Sequence, residues 1–177
     1  MLTLVIGGAA SGKSAYAEHL AVQSGGPRYY LATMQVWDAE CAARVAKHRA
    51  MRAQKQFATV ECPQNLHLVR LPQQGTALLE DVGNLAANEL YRPDGSCLPP
   101  KQTAKKMLAG IEAIAAQCNH LIIVSNEVFS GGADYAGETD LYLQALAMVN
   151  NAVAAKADAV CRVVCDLPVY YKGGERP

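Results

Sequence analysis

Short, continuous apolar runs alternate with longer stretches of helical periodicity along the chain. The run LTLVIG at 2–7 is apolar throughout and ends in glycine, which predicts a buried strand. Residues 14–23 predict a helix, stopped by Gly25, Gly26 and Pro27. The pattern then predicts a strand over 29–33, a helix over 38–55 with Asp38 as N-cap, and a short strand over 57–61 that Pro63 ends. A buried strand over 76–81 leads into a helix over 82–90. Turn residues crowd 91–100, which predicts a surface loop before a helix over 101–117. The run HLIIVSNEV at 120–128 is the strongest strand signal in the chain. A glycine-containing loop over 129–137, a long helix over 138–156 and a last strand over 159–165 follow, and the tail DLPVYYKGGERP reads as irregular.

Strands without polar alternation, separated by helices, predict an α/β fold with a mostly parallel sheet and flanking helices. The 177 residues suit one domain spanning 1–177. Ligands of such folds gather beyond the carboxyl ends of the strands. Chemistry is therefore expected just after Ile6, Thr33, Leu79 and Val124.

Composition narrows the picture. Sixteen basic and sixteen acidic residues cancel, so the net field is not that of a general nucleic-acid binder, and any anion site must be local. Six cysteines, at 41, 62, 97, 118, 161 and 165, form no CxxC pair and no zinc spacing. Cys161 and Cys165 flank a Val-rich run and read as reduced, packed side chains. The N-terminus has neither the charge nor the length of a signal peptide, and no apolar stretch reaches the roughly 20 residues of a membrane span. A cytoplasmic protein is the expectation.

One motif carries specific chemistry. GGAASGKS at 7–14 matches GxxxxGK[ST], with a strand before it and a helix after it. Gly7, Gly8, Ala9, Ala10, Ser11 and Gly12 are expected to wrap backbone N–H groups around phosphate at a helix N-terminus. Lys13 is expected to reach the β- and γ-phosphates of ATP or GTP, and the Ser14 hydroxyl to bind Mg2+. The partner carboxylate should end a neighbouring strand, where Glu80 and Asp81 stand. One of them can hold magnesium, with Glu80 and Ser14 the candidate ligands, and the other can orient or deprotonate an acceptor hydroxyl. Asp81 can equally serve as an N-cap. A GTPase switch would need an NKxD motif, which the sequence lacks; DYAG at 134–137 fits DxxG but follows no strand directly.

A second concentration of charge lies at 43–52, ARVAKHRAMR. Arg44, His48 and Arg52 fall at four-residue spacing on one helical stripe, where like charges repel unless an anion compensates. Such cations disfavour the imidazolium, and a neutral imidazole can attack phosphorus. Charge runs ordinarily mark a solvated face, and the segment alone favours that plainer interpretation.

Taken in order, IGGAASGKS, RVAKHRAMR, FATVECPQNL, LLEDVGNLAAN, VSNEV, NNAVAAKADAV and PVYYK resemble the bifunctional adenosylcobinamide kinase/adenosylcobinamide-phosphate guanylyltransferase family nearly end to end. The resemblance implies a P-loop fold and two reactions. Adenosylcobinamide is phosphorylated by ATP or GTP, and GMP then passes from GTP to that phosphate, giving adenosyl-GDP-cobinamide. It further implies that His48 carries the guanylyl group, that Arg44, Arg49, Arg52 and Glu61 bind nucleotide, and that the protein forms a homo-oligomer. A P-loop kinase without guanylyl transfer and a non-catalytic nucleotide-binding module are the competing classes. The chain departs from the family after VSNEV, at Phe57 where tryptophan is usual, and at Asp166 and Leu167 where glycine often precedes the late proline. Ser125, Asn126 and Glu127 are candidate ligand contacts or loop caps. His19, His67 and His120 read as surface or structural histidines, and Trp37 as packing.

Overall fold

The computed structural model describes residues 1–35, Ala46, 55–129 and 137–174. In chain order the elements are β1 (Leu2–Gly7), α1 (Lys13–Gln23), β2 (Arg28–Ala32), β3 (Phe57–Glu61), a 3-10 turn (Leu66–Leu68), β4 (Thr76–Glu80), α2 (Val82–Leu90), α3 (Pro100–Ala115), β5 (His120–Asn126), α4 (Glu138–Lys156), β6 (Ala159–Val164) and β7 (Leu167–Lys172). Strand order across the sheet is β3-β2-β4-β5-β1-β6-β7. All neighbours are parallel except β6 and β7. The expected α/β architecture is therefore present. Of the helix expected over 38–55, only Ala46, which is helical, and Lys55 fall within the described residues.

The central strands are apolar on both faces because both faces are covered. Leu4, Leu79 and Ile123 pack with Leu85 of α2, Met107 and Ile111 of α3, and Leu146 and Val149 of α4. Their chain neighbours Val5, Leu78 and Ile122 point the other way and meet Ala17 and Ala21 of α1. All six strand residues are fully buried, each contributing about 2 kcal/mol of transfer free energy. A continuous apolar strand is what a two-sided core demands.

The tail expected to be irregular is instead an edge strand. β7 runs antiparallel to β6 through a two-residue turn at Cys165 and Asp166, with φ of 50° and 64°. That turn geometry usually asks for Asn or Gly, so Cys-Asp sends no hairpin signal. Pro168 obscures the strand further, and is tolerated at a sheet edge. The turn also corrects the expected packing of Cys165, which is exposed, whereas Cys161 on β6 is buried.

His120 is structural, as expected. Its Nε2 lies 2.9 Å from Thr3 Oγ1 and its Nδ1 3.0 Å from Ser24 Oγ. Between β3 and β4 the chain is pinned to α2. Buried Glu89 accepts from the Asn65 N–H at 2.6 Å through one oxygen and pairs with Lys106 Nζ at 2.5 Å through the other. Removing one partner of a buried ion pair strands the other, though Lys106 is itself 35% exposed and some solvation remains. Lys106→Met is expected to destabilise the protein by about 2 kcal/mol in urea denaturation at pH 7. Adding Glu89→Gln, which keeps the acceptor for Asn65 and removes the charge, should recover most of that loss.

Candidate active site

The carboxyl ends of the parallel strands share one edge of the sheet, and the P-loop lies there between β1 and α1. The loop must turn its backbone sharply to present N–H groups inward, and its residues permit this. Ala10 and Gly12 have φ of 53° and 89°. Gly7 packs so closely that a Cβ would stand 2.3 Å from Ser11 Oγ and 2.9 Å from the Val163 carbonyl. A Cβ on Gly12 would stand 1.8 Å from an Asp166 carboxylate oxygen. The β6–β7 turn is thus a wall of the loop: the Asp166 N–H donates to the Ser11 carbonyl at 3.0 Å. Farther along, the Tyr16 and Tyr170 hydroxyls meet at 2.6 Å and tie α1 to β7.

Lys13 is 9% exposed and donates to the Gly8 carbonyl across its own loop at 3.1 Å. Ser14 Oγ donates to Glu80 Oε1 at 2.5 Å, joining the first turn of α1 to the end of β4. The other Glu80 oxygen is buried without a partner, as is Ser11 Oγ. Burial pushes the Glu80 carboxyl from its ordinary 4.5 to about 7; the Ser14 hydrogen bond opposes the shift, Asp81 and Glu18 add to it, and Lys13 opposes it. Two orphaned oxygens, a left-handed glycine and a converging lysine fit a nucleotide triphosphate with a divalent cation. Among the described residues no three His, Cys, Asp or Glu side chains gather to hold a metal. An ion here would be shared with phosphate oxygens, which is the habit of Mg2+.

Asp81 takes the capping role that its sequence position allowed. Its Oδ1 accepts from the Asn84 N–H at 2.6 Å and starts α2. Asn126 Nδ2 approaches its other oxygen at 3.4 Å. The Glu80–Asp81 peptide is cis, and fully buried Thr33 holds it from the end of β2. Thr33 Oγ1 accepts from the Asp81 N–H at 2.8 Å, and the Thr33 N–H donates to the Glu80 carbonyl at 3.1 Å. Asn88 of α2 donates to the carbonyls of Thr33 and Pro63, at 2.8 and 2.9 Å.

Other expected contacts fall differently. Ser125 is fully buried and donates to Asn150 Oδ1 at 2.7 Å, which makes it structural. Glu127 pairs with Arg162 at 3.2 Å, and its N–H donates to the Gly7 carbonyl. Glu61 ends β3 at the far side of the sheet, four strands from β1. At about 4.8 Å per strand that is roughly 19 Å from the P-loop. His48, Arg44, Arg49 and Arg52 lie outside the described residues.

The raised Glu80 carboxyl makes nucleotide-free stability depend on pH. The folded protein holds this proton above the pH at which the unfolded chain releases it, so its contribution is complete below about 4.5 and is lost as pH rises through about 7. Denaturant midpoints should fall across that window. Glu80→Gln, which cannot ionise, should flatten the fall and be the more stable protein at pH 8.

Sequence comparison places this geometry among known proteins. The family described as cobinamide kinase / cobinamide phosphate guanyltransferase matches residues 3–170. The bifunctional adenosylcobalamin biosynthesis protein CobP of Pseudomonas aeruginosa is 33% identical over 175 residues, covering 98% of each chain. The bifunctional adenosylcobalamin biosynthesis protein CobU of Escherichia coli is 33% identical over 184 residues, covering 97% of this chain and 100% of its own. Its counterpart in Salmonella typhimurium is 31% identical over 183 residues, with the same coverage. With a phosphate loop closed by Ser14 and Glu80 and a family match across nearly all of its length, the chain belongs to the cobinamide kinase / cobinamide phosphate guanyltransferase family.

Proposed function

We propose that this protein assembles the nucleotide loop of cobalamin in two steps: phosphorylation of adenosylcobinamide by ATP or GTP, then transfer of GMP from GTP to give adenosyl-GDP-cobinamide. The observation that carries the first step is the Ser14–Glu80 hydrogen bond beneath the P-loop, beside the partnerless second oxygen of Glu80. Phosphoryl transfer is mostly positioning and charge stabilisation, and the residues supply both. Backbone N–H groups of residues 8–14 cradle the phosphates. Lys13, now held by the Gly8 carbonyl, turns to the β- and γ-oxygens. Ser14 and Glu80 are the residues that would hold Mg2+, which neutralises charge across the phosphates when bound. Asp81, next to Glu80 at the end of β4, takes the proton of the attacking hydroxyl. The new O–P bond forms as the β–γ anhydride breaks and the nucleoside diphosphate leaves with the electron pair.

The second step rests on the family resemblance of the segment carrying His48. A ring nitrogen of His48 attacks the α-phosphorus of GTP, and pyrophosphate leaves with the electron pair of the broken anhydride. The phosphate oxygen of the corrinoid then displaces the histidine. Arg44, Arg49 and Arg52 bind the phosphates and stabilise the charge that develops. Glu61, near the far edge of the sheet, belongs to this second nucleotide site rather than to the P-loop. Residues 1–177 act as one domain, in a homo-oligomer, in the cytoplasm. Among the described residues no helix is long and apolar enough to cross a membrane.

Incubation with magnesium and GTP labelled at the α-phosphate should leave covalent label on the denatured protein, stable in base and released by acid. His48→Ala should abolish that label and keep the kinase step; label that persists in His48→Ala would refute the assignment. Lys13→Ala should lower the kinase kcat by about a hundredfold or more, the usual loss for one charge-stabilising donor. Product formation from corrinoid, with phosphate and GMP transfer assayed separately, checks both.

A further inference from the structure

Three polar atoms from distant parts of the chain converge above Gly83 in the first turn of α2. A Cβ there would lie 2.6 Å from Asn126 Nδ2, 3.0 Å from the Tyr142 hydroxyl and 3.2 Å from Asp81 Oδ1. Asn126 ends β5, Tyr142 lies in the second turn of α4 and Asp81 follows β4. All three side chains are partly exposed at the carboxyl edge of the sheet.

Each of these groups retains hydrogen-bonding capacity. Asp81 commits one oxygen to the Asn84 cap, and among the described residues the other has only the long 3.4 Å contact with Asn126. The Asn126 amide has a second N–H to offer. The Tyr142 ring packs against the core, yet its hydroxyl has no hydrogen-bond partner among the described residues. A half-buried phenol normally finds one. Burial, the Asp81 charge and Tyr91 raise its pKa, so the hydroxyl keeps its proton and can donate. Glycine at 83 lets these groups close in on the helix, since a Cβ there would crowd the Asn126 amide and the Tyr142 hydroxyl. The cluster also adjoins the nucleotide machinery, because Asp81 follows Glu80 directly and the residue after Asn126 bonds to the Gly7 carbonyl.

We propose that Tyr142 and Asn126, with Asp81, form the seat of the acceptor alcohol in the kinase step, with Tyr142 the positioning residue that fixes the hydroxyl for attack. This rests on the kinase assignment above and names the residues that would hold its acceptor. The Tyr142 hydroxyl donates to the acceptor oxygen, the acceptor proton passes to the free oxygen of Asp81, and the Asn126 amide keeps that carboxylate turned toward it. The oxygen then forms its bond to the γ-phosphorus as the β–γ bond breaks. Bonded in this way, the acceptor engages a hydroxyl that has no hydrogen-bond partner among the described residues.

The test is steady-state kinase kinetics with adenosylcobinamide and Mg-ATP, together with ATP affinity, on the full chain. Tyr142→Phe removes one oxygen and keeps the packed ring. It should raise the KM for the corrinoid about tenfold, the effect of one neutral hydrogen bond, with the ATP Kd within twofold of the parent. Gly83→Ala keeps a good helix former and drives a methyl against the Asn126 amide and the Tyr142 hydroxyl, displacing both, so it should show the same split. Corrinoid KM and kcat unchanged in both variants would overturn the assignment of Tyr142. Equal losses of corrinoid and ATP binding would also overturn it, by marking a structural role. A parent protein that binds ATP but never phosphorylates the corrinoid would instead remove the kinase assignment, and this inference with it.

Discussion

A single buried carboxylate holds the active edge of this protein together. Glu80 sits where β4 leaves the sheet, too enclosed to ionise easily, and takes one hydrogen bond from Ser14. Through that bond the first turn of α1 is fixed to the neighbouring strand, and with it the curve of the P-loop. The backbone of Glu80 and Asp81 is clasped by Thr33 from β2, and Asp81 starts α2. Two consecutive acids therefore join β2, β4, α1 and α2 at one point. In the free protein this arrangement is costly, since burial opposes the charge on Glu80. A bound cation and triphosphate would reverse that cost, so the strain lies where binding relieves it.

On the proposed assignment of Glu61 to the guanylyl-transfer site, two kinds of chemistry divide along one edge of the sheet. The P-loop follows β1, and Glu80 and Asp81 stand at the end of β4, two strands away. Glu61 belongs to β3, at the opposite side. In sequence, the segment that carries His48 lies between β2 and β3. Under that proposal a small domain presents γ-phosphorus and α-phosphorus chemistry to different stretches of one surface, without requiring one triphosphate pose to serve both.

What the sequence disclosed follows the physical origin of each feature. The central strands were legible because burial on two faces forbids polar residues at both parities, and 76–80 and 120–126 show this plainly. The P-loop was legible because its backbone demands particular residues at fixed spacing. Acids at the end of β4 were legible from strand-end position alone, although not their division of labour. β7 was hidden because its turn uses Cys165 and Asp166 in place of the residues that ordinarily mark positive φ. Thr33, Asn88 and Tyr142 were hidden for another reason. Their partners lie 25 to 55 residues away in the case of Thr33 and Asn88, and only folding makes them neighbours. A hydroxyl or amide in an ordinary helix or strand end carries no local signature of such a contact.

The hairpin at Cys165 and Asp166 ties the order of synthesis to the making of the site. The phosphate loop leaves the ribosome before its wall does, and the motif is complete by Ser14. Its wall arrives more than a hundred residues later, when Asp166 reaches the Ser11 carbonyl and Tyr170 reaches Tyr16. A nascent chain short of β7 carries every residue of the motif yet lacks the surface that shapes it. The phosphate loop of the growing chain therefore gains this wall only once the edge strand has been made.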